Sequence, residues 1–177
     1  MRVIAGSCRG ATLRAPRGRA TRPTPERVRE ALFSILVTVQ DARVLDLFAG
    51  SGALAIEALS RGAAQATLVD SSATAVAAIA RNLESLALVG EIRCQPALRF
   101  LERARANARQ YDLVFLDPPY RRASSFGREL SASLVPVLAP EARVIAESDR
   151  RAPLELDLVL LDERRYGDTL LRIYASR

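Results

Sequence analysis

From residue 43 onward, short apolar runs alternate with longer stretches in which apolar residues recur every three or four positions. The runs at 43–48, 66–70, 91–95, 112–116 and 142–147 read as buried strands, with helices near 52–61, 72–88, 96–109 and 124–138 between them. Such alternation predicts a parallel sheet covered on both faces. The ending differs: Leu156 to Leu161 and Thr169 to Tyr174 are two strand-like runs joined by a short charged loop around Gly167. Strands so close in sequence pair only as a hairpin, which adds an antiparallel edge. The expectation is an α/β fold with a doubly wound, mostly parallel sheet of seven strands.

Before residue 43 the pattern changes. Residues 2–5 and 11–15 flank a turn from Gly6 to Gly10 and read as a small β-hairpin, followed by a Pro/Gly/Arg loop over 16–23. Thr24 suits a helix N-cap with Pro25 at the first helical position, and Val28, Ala31, Leu32, Ile35, Leu36 and Val39 carry helical spacing to about residue 39. With no internal repeat or low-complexity linker, the chain divides into an N-terminal arm, residues 1–22, and one α/β domain, residues 23–177.

Charge sharpens that division. The net charge is +6, yet residues 1–29 carry eight arginines (Arg2, Arg9, Arg14, Arg17, Arg19, Arg22, Arg27 and Arg29) against one acid, Glu26, which leaves the other 148 residues at −1. A near-neutral domain with a basic arm is the electrostatic footprint of a nucleic-acid binder, the alternative being a solvated tail. Arg121 and Arg122 add charge further along. Every basic residue is arginine, and histidine is absent. That excludes Ser-His-Asp and Cys-His catalysis and any zinc site built on histidine. No metal site is expected. Cys8 and Cys94, with no apolar run long enough to span a bilayer, read as thiols of a reduced cytoplasmic protein without a membrane partner. A transit peptide would share the arm's composition, but the arm leads straight into a helix signal.

Two constellations carry chemistry. Asp46-Leu-Phe-Ala-Gly50-Ser-Gly52 falls where the first central strand ends and a helix begins, the rim at which open α/β sheets bind ligands. Gly50 and Gly52 allow close backbone approach, while the Asp46 carboxylate favours a ligand that tolerates negative charge. A phosphate loop needs a lysine this chain lacks, and the dinucleotide fingerprint needs a third glycine where Ala55 stands. S-adenosylmethionine, with a sulfonium, an ammonium and no phosphate, suits the loop better; a ligand-free tight turn is the plain alternative. Asp70, closing the second strand, is placed to accept the hydroxyls of a ribose or, equally, to cap the next helix.

The second constellation is Asp117-Pro118-Pro119-Tyr120, after the strand ending at Leu116. The prolines hold Asp117 and Pro118 with little freedom, so a carboxylate and a carbonyl aim at one place. Together they can accept both hydrogens of a base's exocyclic amine, and Tyr120 offers a face for stacking. Methyl transfer from a sulfonium needs alignment more than a strong base. A stiff strand-ending turn is the alternative.

This order of motifs is similar to the class I methyltransferases of base amines, which implies a Rossmann-like sheet. The stretch Thr21-Arg-Pro-Thr24-Pro-Glu-Arg27-Val-Arg29-Glu-Ala-Leu-Phe33, with Arg-Val-Ile-Ala-Gly6, Arg9-Gly10 and the closing Tyr166-Gly-Asp-Thr-Leu-Leu-Arg-Ile-Tyr174, resembles more narrowly the RsmD family, which methylates N2 of a guanine in 16S ribosomal RNA. The resemblance implies that Asp46, Gly50 and Gly52 contact S-adenosylmethionine, that Asp70 holds its ribose, and that Thr24 and Arg27 reach its carboxylate. It implies that Asp117, Pro118 and Tyr120 hold the guanine. Cys94-Gln95-Pro96-Ala97 departs from the usual acid or amide after the third strand, which leaves the backbone of Ala97 to meet the adenine ring. Ribosomal RNA or an assembling small subunit is the implied partner, bound through Arg2, Arg9, Arg14, Arg17, Arg19, Arg22, Arg121 and Arg122, and a monomer is expected.

Rival readings are a DNA adenine-N6 methyltransferase, a cytosine-C5 enzyme using Cys94, and a non-catalytic nucleic-acid-binding module. The short chain leaves no room for a separate DNA-recognition domain, and the intact Asp117 to Tyr120 tetrad argues for catalysis.

Overall fold

The computed structural model describes residues 1–16, 25–118 and 123–176. Its strands are β1 (Arg43–Asp46), β2 (Gln65–Asp70), β3 (Glu91–Cys94), β4 (Tyr111–Leu116), β5 (Leu138–Asp149), β6 (Val159–Tyr166) and β7 (Thr169–Ala175). They form one sheet in the order β3-β2-β1-β4-β5-β7-β6. The first five run parallel, and β7 lies antiparallel between β5 and β6. This is the sheet the alternating pattern predicts, with the hairpin at its edge.

Side-chain alternation along the central strands builds two cores. Val44, Leu113, Phe115 and Ile145 face α1 (Glu26–Ile35), α2 (Ala53–Ser60) and α3 (Ala73–Ser85). Leu45, Val114, Leu116 and Val144 face α4 (Ala97–Ala106) and α5 (Ala123–Leu134). Near-continuous apolar strands are what a sheet buried on both faces requires.

The arm contributes to the first core. Arg2 and Thr12 form an antiparallel bridge, and the amides of Val3 and Leu13 donate to the carbonyls of Ala11 and Met1. Val3 and Leu13 are buried among residues of α1 and α2. Beneath them Glu57 of α2 is fully buried and accepts the amides of Ile4 at 2.7 Å and Ala5 at 3.0 Å, together with Arg61 Nε. Arg29, buried on α1, donates to the Arg2 carbonyl at 2.6 Å. One of the arginines counted in the arm's excess charge is thus inside the protein.

Several boundaries differ from the expectation. Pro25 precedes the first helical residue of α1 as its N-cap, and the helix stops at Ile35 because Val37 adopts φ 61°. Val39 reaches the core from the loop that follows. The fifth helix ends at Leu134 and gives way to a 3-10 turn over Val135–Val137, where Pro136 has no amide to donate. The sixth strand begins at Val159 rather than Leu156. Leu154 and Leu156 are buried in irregular chain, while Asp162 to Arg165, expected as loop, lie within the strand and pair their charges along it. Among the described residues, no helix is long and apolar enough to cross a membrane.

Candidate active site

Acidic residues stand at or near the carboxyl ends of four neighbouring strands: Asp46 on β1, Asp70 on β2, Asp117 just past β4 and Glu147 on β5. The parallel register brings them to one rim. Asp46 lies opposite Phe115, Phe115 opposite Ile145, and Leu116 opposite Ala146. Leu45 and Leu47 both point into the second core, as do Leu116 and Ala146. Alternation then turns Asp46, Asp117 and Glu147 to the opposite face, the one α1 and α2 cover.

The loop from Leu47 to Gly52 is held by its own backbone and by Asp70. Ala49 donates to the Val69 carbonyl at 3.1 Å, and Gly52 to the Ala49 carbonyl at 2.6 Å. Asp70 Oδ2 accepts the Gly50 amide at 2.9 Å, and its Oδ1 accepts the Ser72 amide at 2.8 Å. Its carbonyl accepts the Gln95 amide at 3.0 Å, tying the start of α4 to the same point. Each carboxylate oxygen keeps acceptor capacity beyond the bond it makes.

The two glycines do different work. A Cβ on Gly52, at φ 79°, would meet Leu68 Cδ2 at 2.9 Å and Ile56 Cδ1 at 3.2 Å, so this glycine lets α2 pack on β2. Among the described residues, a Cβ on Gly50, at φ 55°, would meet the Phe48 carbonyl oxygen alone, at 3.9 Å. Gly50 serves the turn, and no packed side chain among the described residues crosses its face of the loop.

Burial pushes the Asp46 carboxyl up to about 7, against the pull of hydrogen bonds from the backbone of Ala55 and Phe48, and the neighbouring Asp70 adds to the rise. Asp117 is raised well above the usual carboxylate range, first by burial, then by Glu147 and then by Asp46. These acids hold their protons to higher pH than exposed ones would, and a cation or a group rich in hydrogen-bond donors would favour their ionised forms.

Of the other expected site residues, Ala97 is the buried first residue of α4, where an amide has no acceptor within its own helix. Pro118 is buried beside Asp117. Arg27 is exposed on the first turn of α1, and Arg2, Arg9 and Arg14 are exposed on the arm. Thr24, Tyr120, Arg17, Arg19, Arg22, Arg121 and Arg122 lie outside the described residues. Cys94 ends β3, three strands from β4, which sets it roughly 14 Å from the Asp117 position. Glu147 belongs to the rim without having been singled out by sequence pattern, although an acid ending the apolar run Val144-Ile-Ala was its signal.

The family described as "Conserved hypothetical protein 95" matches residues 1–175. The chain belongs to this family, the RsmD family. A member from Haemophilus influenzae named "Ribosomal RNA small subunit methyltransferase D" is 34% identical over 185 residues, covering 99% of this chain and 94% of its own. Among solved structures, one described as "Putative methyltransferase yhhF from Escherichia coli" is 35% identical with a TM-score of 0.85, covering 100% and 98% of the two chains. At 16% identity and a TM-score of 0.68, an RNA methyltransferase from Salinibacter ruber in complex with S-adenosyl-L-homocysteine covers 87% of this chain and 93% of its own, a likeness of fold.

Proposed function

We propose that this chain is a ribosomal RNA methyltransferase that transfers a methyl group from S-adenosylmethionine to the exocyclic N2 amine of a guanine in small-subunit RNA. The observation that carries the reading is the adjacency of two rim features. The Gly50 loop follows β1 and the Asp117-Pro118 pair follows β4, on strands that are direct neighbours, about 5 Å apart. A donor held by the loop and an amine held by the pair would meet.

The residues present fit the cofactor. The open face of Gly50 admits it, and buried Asp46 is an acid whose ionised form a cation would favour. When bound, S-adenosylmethionine supplies a methyl carbon made electrophilic by its sulfonium. Asp46, Gly50 and Gly52 hold its methionine and ribose parts, with Thr24 and Arg27 at its carboxylate end, Asp70 on the ribose and the Ala97 amide on the adenine. Asp117 and the Pro118 carbonyl accept the two amine hydrogens and turn the nitrogen lone pair toward the donor, and Tyr120 stacks on the base. The exposed arginines of the arm contact RNA phosphates. The names of the family's members support the ribosomal substrate, and the distance to Cys94 speaks against cytosine-C5 chemistry.

Mass spectrometry of nucleosides from small subunits of a strain lacking the protein, before and after treatment with purified enzyme and methyl-labelled S-adenosylmethionine, tests the proposal. Labelled N2-methylguanosine is the expected product. Labelled N6-methyladenosine, or no transfer, would overturn it. Asp117→Ala should lower single-turnover rate by roughly two to four orders of magnitude, the scale of removing a well-placed transition-state hydrogen-bond partner.

A further inference from the structure

Where the arm leaves its hairpin it crosses α3 and encloses a cavity of about 300 Å³, lined by Arg14 and Ala15 on one side and by Thr74, Ala77, Ala78 and Arg81 on the other. The four helix residues follow the spacing i, i+3, i+4, i+7, so they form one face of α3. The short side chains of Ala77 and Ala78 leave the space, with Thr74 and Arg81 at its two ends, about 10 Å apart along the helix axis. Arg14 is held in place: its amide donates to Asn82 Oδ1 at 2.9 Å, and its carbonyl accepts from Asn82 Nδ2 at 3.0 Å. Asn82 follows Arg81 in the chain, so the backbone that carries one guanidinium is pinned beside the residue that carries the other. Both arginines are exposed, and neither forms an ion pair with an acid among the described residues, whereas Arg43, Arg61 and Arg109 are paired with Asp112, Glu57 and Glu91. Two cations brought to one cavity with no acid between them repel each other, and an anion seated there relieves the repulsion. At the upper end Thr74 shares a hydrogen bond of 2.8 Å with the Ser72 hydroxyl, and the Ser72 amide donates to Asp70, so the cavity adjoins the rim.

Resting on the function proposed above, we propose that this cavity seats one phosphodiester of the substrate RNA, held between the guanidinium groups of Arg14 and Arg81. Each guanidinium presents a planar fork of N–H donors that matches two phosphate oxygens. A polymer suits the site better than a free anion, because the exposed Arg2 and Arg9 extend the positive charge along the arm to meet further phosphates. Helix α3 follows β2, whereas Asp117 follows β4 on the far side of β1. The seated phosphate therefore belongs to RNA flanking the target nucleotide. Such a contact carries no sequence information; it fixes the register of the chain. Asn82 also donates to the Ser51 carbonyl at 2.9 Å, so one side chain sets the distance between the phosphate seat and the glycine loop.

The test measures binding by fluorescence anisotropy, across a salt series, with a small-subunit RNA fragment that contains the nucleotide found to carry the label. Arg81→Ala should weaken binding about tenfold, the scale of one charge-assisted contact. Because both arginines hold one phosphate, Arg81→Ala should cost less in an Arg14→Ala protein than in the wild type. The double variant should make the slope of log affinity against log salt shallower by about 0.7–0.9, one phosphate's worth, and a change of about 1.4–1.8 would mean two separate phosphates and overturn the shared seat. Ala77→Leu fills the cavity and leaves the charge unchanged, so it should weaken RNA binding as well; unchanged affinity in the folded protein would place the arginines on open surface and overturn the cavity's role. If the leucine form does not fold, RNA with a neutral methylphosphonate at single flanking linkages decides. At one linkage the wild type should bind no better than Arg81→Ala, and the absence of any such linkage overturns the proposal. RNA that binds in this way but gains no N2-methylguanosine overturns the proposed function and leaves the seat standing, whereas a normal reaction with full RNA affinity in Arg81→Ala overturns the seat alone.

Discussion

The side chain of Asn82 donates to the carbonyl oxygen of Ser51 at 2.9 Å and at the same time holds both backbone groups of Arg14. One buried amide on α3 therefore joins the basic arm to the glycine loop. An asparagine in the interior is kept only where its donors and acceptor are all matched, and here each is.

Replacing Asn82 with alanine strips one buried and two part-buried bonds at once. Asn82→Ala should destabilise the fold by about 2–4 kcal/mol, the range for several buried groups left unmatched. It should also weaken S-adenosylmethionine binding, although it touches no proposed cofactor contact. Thermal unfolding and calorimetric titration of the same protein check both effects, and unchanged affinity would uncouple the clip from the loop.

Gly50 and Gly52 should separate under the same substitution. Gly50→Val places a side chain where the described residues leave room but at a left-handed φ of 55°, so the protein should lose about 1–2 kcal/mol, stay folded and no longer bind the cofactor. Gly52→Val drives methyl groups into Leu68 and Ile56, so it should unfold at a markedly lower temperature. Circular dichroism melts beside a cofactor titration distinguish the two.

The pH dependence follows from Asp46. Its ordinary value is 3.8 and its folded value about 7, so across that window the native protein keeps a proton that the unfolded chain has released. Stability should fall as pH rises through the window, with the full penalty present above about 7. A cationic ligand favours the ionised acid, so cofactor affinity should rise with pH up to the same point and binding should release protons. Asp46→Asn should flatten both slopes in part, leaving the share due to Asp117, which is raised for the same reason. Melts at a series of pH values and calorimetry in buffers of different ionisation enthalpy provide the numbers.

The arm's charge has its own readout. Arg9 and Arg14 are exposed, and neither side chain supports the core. Arg9→Ala with Arg14→Ala should leave cofactor affinity unchanged and weaken RNA binding. The slope of log affinity against log salt should become shallower by up to about 0.7–0.9 for each phosphate that is no longer neutralised. Equal slopes for the variant and the wild type would move the RNA surface away from these two residues.

The elements of the sheet are readable in the chain because a strand buried on both faces must be apolar, and Val44 to Leu47 or Leu113 to Leu116 leave no other choice. The edge strand β6 escapes that reading for the converse reason. Open on its flank, it tolerates Asp162 to Arg165, and Glu163 is matched by Arg165 and by Arg172 on β7. The glycine loop and Asp117 carry local signals of turn chemistry and proline stiffness. Asn82 and Glu57 do not, since their partners lie far along the chain: Ile4 meets Glu57 and Arg14 meets Asn82 only after folding. Spacing along a sequence reports neighbours on one element and is silent on long-range pairs.

The position of β7 has a consequence for synthesis. It is made after β6 yet lies between β6 and β5, so β6 cannot join the sheet until β7 has been made. Until Thr169 to Ala175 emerges, β5 offers an open edge along Arg143 to Asp149, and the acid it carries is uncovered on that side. Long-range pairing of this kind is slow to form. A nascent chain would therefore acquire the loop after β1 early and the completed acidic rim last, which makes the arrival of the final strand the step that turns a folded half into a working enzyme.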